Sequence, residues 1–222
     1  MNRPYRKKVR GARQQQTRQR IVEATIALHQ ERGIAATTIG DIAARAGVGR
    51  VTVYRHFPDE AALSAACSGQ YFERNPLPDP GPWRAEADPQ ARLRLGLAET
   101  YAFFRRTAPM LAKVYPEARD HPAMAPIHAH WQAMVEVLAE PWPESLAESG
   151  AEFGAEFGAE PGVEAGAAGG RKGALLDAAL ALALDFETWH LLALRRGLDD
   201  AEAVDLMARL TCDCGGARIR VS

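Results

Sequence analysis

The sequence predicts an all-α protein in two parts, an N-terminal three-helix helix-turn-helix domain followed by a C-terminal helical body. Three observations carry this. Apolar residues recur at helical spacing along most of the chain, and β-type alternation is sustained nowhere. Gly33, Gly47, Pro58, Pro109, Pro116, Pro122, Pro141 and Gly197 punctuate those stretches. Charge is also divided. Residues 1–56 hold 12 Lys/Arg against 3 Asp/Glu, whereas residues 57–222 hold 15 against 25, beneath a formal net charge of −1. A basic first quarter on an acidic body is the footprint of a chain that meets a polyanion at one end only.

Residues 1–14 carry Arg3, Arg6, Lys7, Lys8, Arg10 and Arg13, no acid and few apolar groups, which predicts a basic disordered arm. Such an arm adds phosphate contacts or is merely a solvated tail. A first helix is expected from about Gln15 to Arg32, with a stripe of Ile21, Ala24 and Leu28 and Gly33 as its C-cap. Thr17, near its start, is placed to touch a phosphate. A short helix follows, with Ile39, Ile42, Ala43 and Ala46 on one face and Thr38 and Asp41 spaced as a capping box. Gly47 suits a tight corner that needs positive φ, and Val48 drops back into the core.

Gly49 to His56 then offers Arg50, Thr52, Tyr54, Arg55 and His56 with no acid among them. Two helices crossed over a glycine-containing turn make a helix-turn-helix, whose second helix enters the DNA major groove. Arg50 can bond both acceptors of a guanine edge, and Thr52 offers a hydroxyl and a methyl. Tyr54 and His56 suit phosphate oxygens, which set register without carrying sequence information. Val53 and Phe57 line up with Val48 on the buried side.

The stretch ERGIAATTIGDIAARAGVGRVTVYRHFPDEAAL resembles the DNA-binding domain of the TetR family of bacterial transcriptional regulators. The resemblance covers residues 17–65 and is strongest in DIAARAGV and VTVYRHF. By the family's pattern Val51 and Arg55 join Arg50, Thr52, Tyr54 and His56 as the contact surface, with Thr17 and Thr38 completing the expected set. Three positions depart from that pattern. His29 stands where a large aromatic is usual, Gly49 where a helix starter is usual, and Glu60 where a cation is common. The resemblance implies a one-component regulator, most often a repressor, that binds a palindromic double-stranded DNA operator as a homodimer and is released by a small-molecule effector. The competing reading is a constitutive DNA-binding protein whose body only dimerises.

Pro58, Asp59 and Glu60 open a fourth helix that runs to about Arg74 and closes the DNA-binding domain at residues 15–74. In the family this helix joins reading head to body and carries the allosteric movement. Pro76, Pro78, Pro80, Pro82 and Pro89 mark the boundary with an effector-binding and dimerisation domain at residues 75–222. Its helices are expected at about Pro89–Thr107, Pro109–Glu117, Pro122–Glu140, Arg171–Arg196 and Asp199–Cys212, the last capped by Asp199 with Glu202. Residues 150–170, where GAEF occurs twice, read as a low-complexity solvated loop.

Tyr101, Phe104, Met110, Trp131, Met134 and Trp189 supply apolar surface for an effector pocket, unless they merely fill core. Leu175, Ala179, Leu182, Phe186, Trp189 and Ala193 are spaced 4, 3, 4, 3, 4, a seam that faces a partner helix. Val204, Met207 and Leu210 supply a matching stripe. The family's habit of dimerising through its last two helices then implies an interface on Leu175, Leu182, Phe186, Trp189, Val204 and Met207. The alternative buries both stripes within one monomer.

Several classes are set aside. His128 and His130 point to different sides of a helix, and with His121 they lack a matching acid or thiol set, so no metal and no cofactor is expected. No catalytic constellation stands out, so no enzyme is expected. Cys212 and Cys214 lack zinc or redox spacing, and with Cys67 they read as reduced structural thiols of a cytoplasmic protein. The basic start has no apolar core behind it, so no signal peptide is expected. Asp177, Asp185 and Glu187 interrupt the most apolar run, Ala174 to Leu194, so no membrane partner is expected.

Overall fold

The computed structural model describes residues 3–118, 124–142 and 165–214, which are helical and contain no strand. The chain divides into two compact units, Met1–Pro76 with Arg106–Ala125, and Leu77–Arg105 with Pro126–Ser222.

The first unit is built on α1 (Arg3–Arg32), followed by α2 (Ile39–Ala46), α3 (Arg50–His56) and α4 (Glu60–Arg74). Ile21, Val22, Leu28, Ile42, Val53, Phe57, Leu63 and Met110 form its buried core. Exposed ion pairs join the helices at their rims, Arg45–Glu31 at 2.7 Å, Arg32–Asp41 at 2.9 Å and Arg74–Glu23 at 3.0 Å. Pairs so exposed contribute little next to apolar burial. Gly33 ends α1 at φ +86°, a left-handed geometry in which a Cβ is strained. The N–H groups of Ile34 and Ala35 then donate to the Glu117 carboxylate at 2.9 and 2.8 Å. His29 is half-buried beside this turn. Burial lowers its pKa, against the opposing pull of Glu117, and it sits as a structural imidazole.

The first helix begins at Arg3 and not near Gln15, so the expected irregular arm is helical. Arg, Lys and Gln favour helix, and Pro4 falls in the first turn, where its missing N–H costs nothing.

The second unit starts with a 3₁₀ turn at Gly81–Ala85 and the N-terminal part of α5 (Pro89–Ala118), whose residues from Arg106 belong to the first unit. It continues with α6 (Ala125–Ala139), α7 (Ala165–Ala183), α8 (Phe186–Trp189) with a π-helical turn at His190–Arg195, and α9 (Asp200–Cys214). Arg92 is buried but satisfied. Its guanidinium donates to the carbonyls of Glu86, Val137 and Arg84 at 2.7, 3.1 and 3.2 Å and pairs with Glu140 at 3.3 Å. The indole N–H of fully buried Trp83 donates to Glu99 at 2.8 Å.

Three helix boundaries differ from expectation. α5 continues through Pro109 and Pro116. Pro109 removes the bond to the Arg105 carbonyl, at a cost of about 3 kcal/mol, and buried Phe103, Phe104 and Met110 on either side keep the helix in place. The expected helix Arg171–Arg196 is broken at Leu184–Asp185. There the Asp185 carboxylate accepts the N–H groups of Glu187 and Thr188 at 2.7 and 3.3 Å and starts a new helix. Ala165 to Gly170, expected as the end of a loop, form the first turns of the alanine-rich α7, while the rest of that tract, residues 150–164, lies outside the described residues. The Asp199–Glu202 capping pair forms as expected, at 2.9 and 2.8 Å.

Gly33→Ala is expected to destabilise the protein by about 1–2 kcal/mol, because it forces a Cβ into left-handed backbone and brings it 2.7 Å from Glu117 Oε1. Gly69→Ala, within α4 and with no atom within 4 Å of the new Cβ, should stabilise by up to about 1 kcal/mol. Thermal unfolding of the two variants reads both signs.

Candidate nucleic-acid interface

The turn that aims α3 is set by local chemistry. Thr38 caps α2: the Asp41 N–H donates to Thr38 Oγ1 at 3.2 Å, and the Thr38 N–H donates to the Asp41 carboxylate at 3.1 Å. Gly47 closes the helix at φ +64°, ψ 42°, its N–H turned back to the carbonyls of Ala43 and Ala44. Val48 returns to the core, and Gly49 begins α3 with no side-chain cap, its carbonyl taking the N–H groups of Thr52 and Val53 at 2.8 and 3.3 Å. Phe57 ends α3 by donating its N–H to the Val53 carbonyl at 2.8 Å.

Only one face of α3 is buried. Val53 and Phe57 enter the core, whereas Arg50, Val51, Tyr54 and Arg55 are exposed, Val51 at 80% and Tyr54 at 53%. Thr52 and His56 are half-buried at the edges of that face. An 80% exposed valine serves no packing role, and its methyls suit the thymine methyl in a major groove. The structure thus brings the six expected α3 residues onto one outward surface.

Thr38 and Thr17 are differently placed. The Thr38 hydroxyl donates to Asp41 Oδ2 at 2.6 Å and is committed to the cap, and Thr17 donates its hydroxyl to the Arg13 carbonyl at 2.9 Å within α1. Their hydroxyl protons are spent internally, in contrast to those of a free phosphate donor.

Two residues absent from the expected set shape this surface. The Arg18 guanidinium lies over the Phe57 ring, 4.7 Å from its centroid, bringing a cation from α1 to the end of α3. Burial first, then the charges of Arg55 and Arg18, holds His56 below the usual histidine pKa. Gly40, on α2, lies against the Arg50 side chain. Neither Arg18 nor Gly40 carries a sequence signal of its own, since an arginine and a glycine at those positions read as solvated helix surface.

The residues expected to line an effector pocket do not form one set. Tyr101, Phe104, Met134 and Trp189 are buried in the second unit, and Trp131 is half-buried beside them. Phe104 lies 5.5 Å from Trp131, 5.5 Å from Phe186 and 5.9 Å from Trp189, centroid to centroid. Met110 belongs instead to the core of the first unit, because the helix through Pro109 carries it there. Polar groups at the cluster's edge are mostly paired. Tyr101 donates to the Ala183 carbonyl at 3.0 Å, and the Trp189 indole donates to Asp200 at 3.0 Å. Arg105 grips Asp200 at 2.6 and 2.8 Å and lowers its pKa. The buried Nδ1 of His190 has no hydrogen-bond partner among the described residues.

The expected dimer seam is likewise divided. Phe186, Trp189, Val204 and Met207 are buried within their own unit, so they are core and not an outward seam. Leu175 and Leu182 remain outside, 54% and 58% exposed. The break at Asp185 is the cause, since it resets the helical phase between the two halves of the stripe.

Among the described residues no cluster of His, Cys, Asp and Glu is arranged to hold a metal, and no helix is long and apolar enough to cross a membrane. His128 is exposed, and His130 Nε2 lies 2.8 Å from the Pro78 carbonyl. Cys67 is free, and burial pushes its thiol up to about 11.

The model of the bacterial regulatory proteins of the tetR family matches residues 21–67. Over 49 residues the chain is 41% identical to the transcriptional regulator AcrR of Shigella flexneri, covering 22% of this chain and 23% of that protein. It is 46% identical over 52 residues to TtgR of Pseudomonas putida, 23% and 25% of the two chains. It is 38% identical over 61 residues to the transcriptional repressor KstR of Mycolicibacterium smegmatis, 28% and 30%. These matches span about a quarter of the length of the curated relatives. The crystal structure of a TetR-like regulator from Rhodococcus sp. RHA1 covers 91% of this chain and 97% of its own, at a TM-score of 0.54 and 18% identity, a likeness of fold alone. The helix-turn-helix at residues 21–67 is therefore similar to that of the bacterial regulatory proteins of the tetR family, and it precedes an all-helical body.

Proposed function

We propose that this protein is a one-component transcriptional repressor of the cytoplasm that binds an inverted-repeat operator as a homodimer and leaves it when a small molecule binds the helical body. The observation that carries the DNA-binding part is the outward face of α3, where Arg50, Val51, Tyr54 and Arg55 stand exposed on a helix anchored by Val53 and Phe57. Arg50 and Thr52 read base edges, while Tyr54, Arg55 and His56 hold phosphates. KstR, one of the relatives, is named a repressor, and this supports the sign of regulation.

A second reading keeps the DNA binding and removes the effector. It is favoured by the dense packing of Phe104 with Trp131, Phe186 and Trp189, which makes these rings a core. The unpartnered His190 nitrogen beside the same rings supports the effector reading, because a buried polar atom without a partner is costly until something meets it. A thermal-shift screen of small molecules, followed by operator binding with and without each hit, separates the two.

For the dimer, α7 and α9 offer Leu175, Leu182, Leu206 and Leu210 as exposed leucines on two helices that pack together. A second copy covering these leucines would place two reading heads on one operator. Leu182→Glu with Leu210→Glu should yield folded monomers in sedimentation and weaken operator binding. Phe186→Asp should instead lower the melting temperature, since its ring is buried within its own chain. A folded dimer for the leucine pair would rule out this interface.

Base readout and backbone contact are expected to separate by mutation. Arg50→Ala and Thr52→Ala should each weaken operator binding by about 1–3 kcal/mol and relax preference at particular base pairs. Tyr54→Phe should weaken all sequences alike. Selection from a randomised duplex library measures both effects.

His56 should also make binding sensitive to pH. Burial, then the charges of Arg55 and Arg18, hold its pKa below the usual histidine value in the free protein, whereas a phosphate beside it favours its protonated form. Binding then takes up a proton, so operator affinity should rise as pH falls from about 7.5 towards 5.5. His56→Gln should flatten that dependence in a titration across the same range.

A further inference from the structure

Glycine within a helix costs about 0.5–1 kcal/mol relative to alanine, and α2 is only eight residues long. Gly40 is its second residue and lies outside the left-handed region that would demand glycine. The reason for a glycine here is therefore one of space. A Cβ on Gly40 would lie 2.5 Å from Arg50 Nη2, 3.1 Å from Cζ and 3.1 Å from Nε. These are three atoms of one planar group, so the Arg50 guanidinium occupies the volume that a side chain at position 40 would fill.

No hydrogen bond or ion pair among the described residues holds that guanidinium. The neighbouring carboxylate, Asp41, is paired with Arg32 at 2.9 Å. Arg50 is exposed and keeps its five N–H donors for a ligand. Its resting place is set by contact with the α2 backbone and not by a polar partner. A guanidinium parked on a fixed surface meets a guanine edge with less rotational freedom to lose than one waving in solvent.

We propose that Gly40 is a specificity-determining position of the DNA interface: its missing side chain is the seat that orients the Arg50 guanidinium for base readout. Gly40 touches no base and acts as a positioning residue through Arg50. The inference rests on the reading of α3 as the base-reading helix. A side chain at position 40 displaces only the flexible end of Arg50, so the fold survives and the loss falls on sequence preference.

The test uses the full chain as wild type and as Gly40→Ala, Arg50→Ala, the double variant and Gly69→Ala. Each is taken through selection from a randomised duplex library and titration on the selected site and its single-base variants. Arg50→Ala identifies the base pairs that Arg50 reads. Gly40→Ala should lower discrimination at those same base pairs, on the order of tenfold, with a melting temperature equal to or above that of wild type. The double variant should lose no more discrimination than Arg50→Ala alone, the signature of two residues acting through one contact. Gly69→Ala, which also exchanges a helical glycine, should keep the wild-type profile. If Gly40→Ala retains full preference at the base pairs that Arg50→Ala relaxes, the proposal is overturned while the reading of α3 stands. If wild type enriches no site, or Arg50→Ala leaves its profile unchanged, the reading of α3 fails and the Gly40 assignment fails with it.

Discussion

The left-handed corner at Gly47 is the constraint on which the reading surface depends. α3 is seven residues long, too short to persist on its own hydrogen bonds, so its orientation comes from what it is attached to and what it buries. Gly47 turns the chain at φ +64°, Val48 drops inward directly after it, and Val53 and Phe57 complete the anchor. With those three side chains in the core, helical geometry leaves Arg50, Val51, Tyr54 and Arg55 outside. A β-carbon at Gly47 would strain the left-handed corner that sets the direction of α3, although it would meet none of the exposed α3 residues.

The same core explains why the region was legible in the sequence. Thr38 with Asp41, Gly47 and the Val48–Val53–Phe57 set each act over three to nine residues, so residue type and spacing determine the outcome. The helical body was harder to read for the opposite reason. Pro109 reads as a stop because it removes one backbone bond, but it is overridden by packing from residues distant in sequence. Asp185 reads as a charge on a long apolar helix, yet its carboxylate takes two N–H groups and starts a new one. At Pro109 a local signal of about 3 kcal/mol is outweighed by packing, whereas at Asp185 the same residue type fits both a solvated helix position and an N-cap.

That misplaced boundary also accounts for the residues assigned to the wrong surface. A seam at Leu175, Leu182, Phe186 and Trp189 is continuous only if the helix is continuous. Once the phase resets at Asp185, the first two leucines stay outside and the two aromatic rings turn in. Buried aromatic residues raise a separate problem. Phe104 and Trp189 have the same spacing and hydropathy whether they fill a core or line a cavity, so no periodicity distinguishes the two. The structure adds what the sequence lacked, ring against ring at 5.5 to 5.9 Å and, beside them, a histidine nitrogen without a partner among the described residues.

On the reading helix, stability and recognition are carried by different residues. Val53 and Phe57 are buried and face no DNA, while Arg50, Val51 and Tyr54 face outward and support no core. A change in operator preference therefore costs the fold little, and a change in the core alters no base contact directly. Arg18 and Gly40 stand between the two groups. Arg18 packs its guanidinium over Phe57, at the end of α3, and so joins a core ring to the edge of α3 near His56. Gly40 weakens α2 by what its missing side chain forgoes and in return leaves room for Arg50. A short helix here keeps a residue that its own stability disfavours, and the space is filled by the Arg50 side chain, which is the observation behind the proposed positioning role of Gly40.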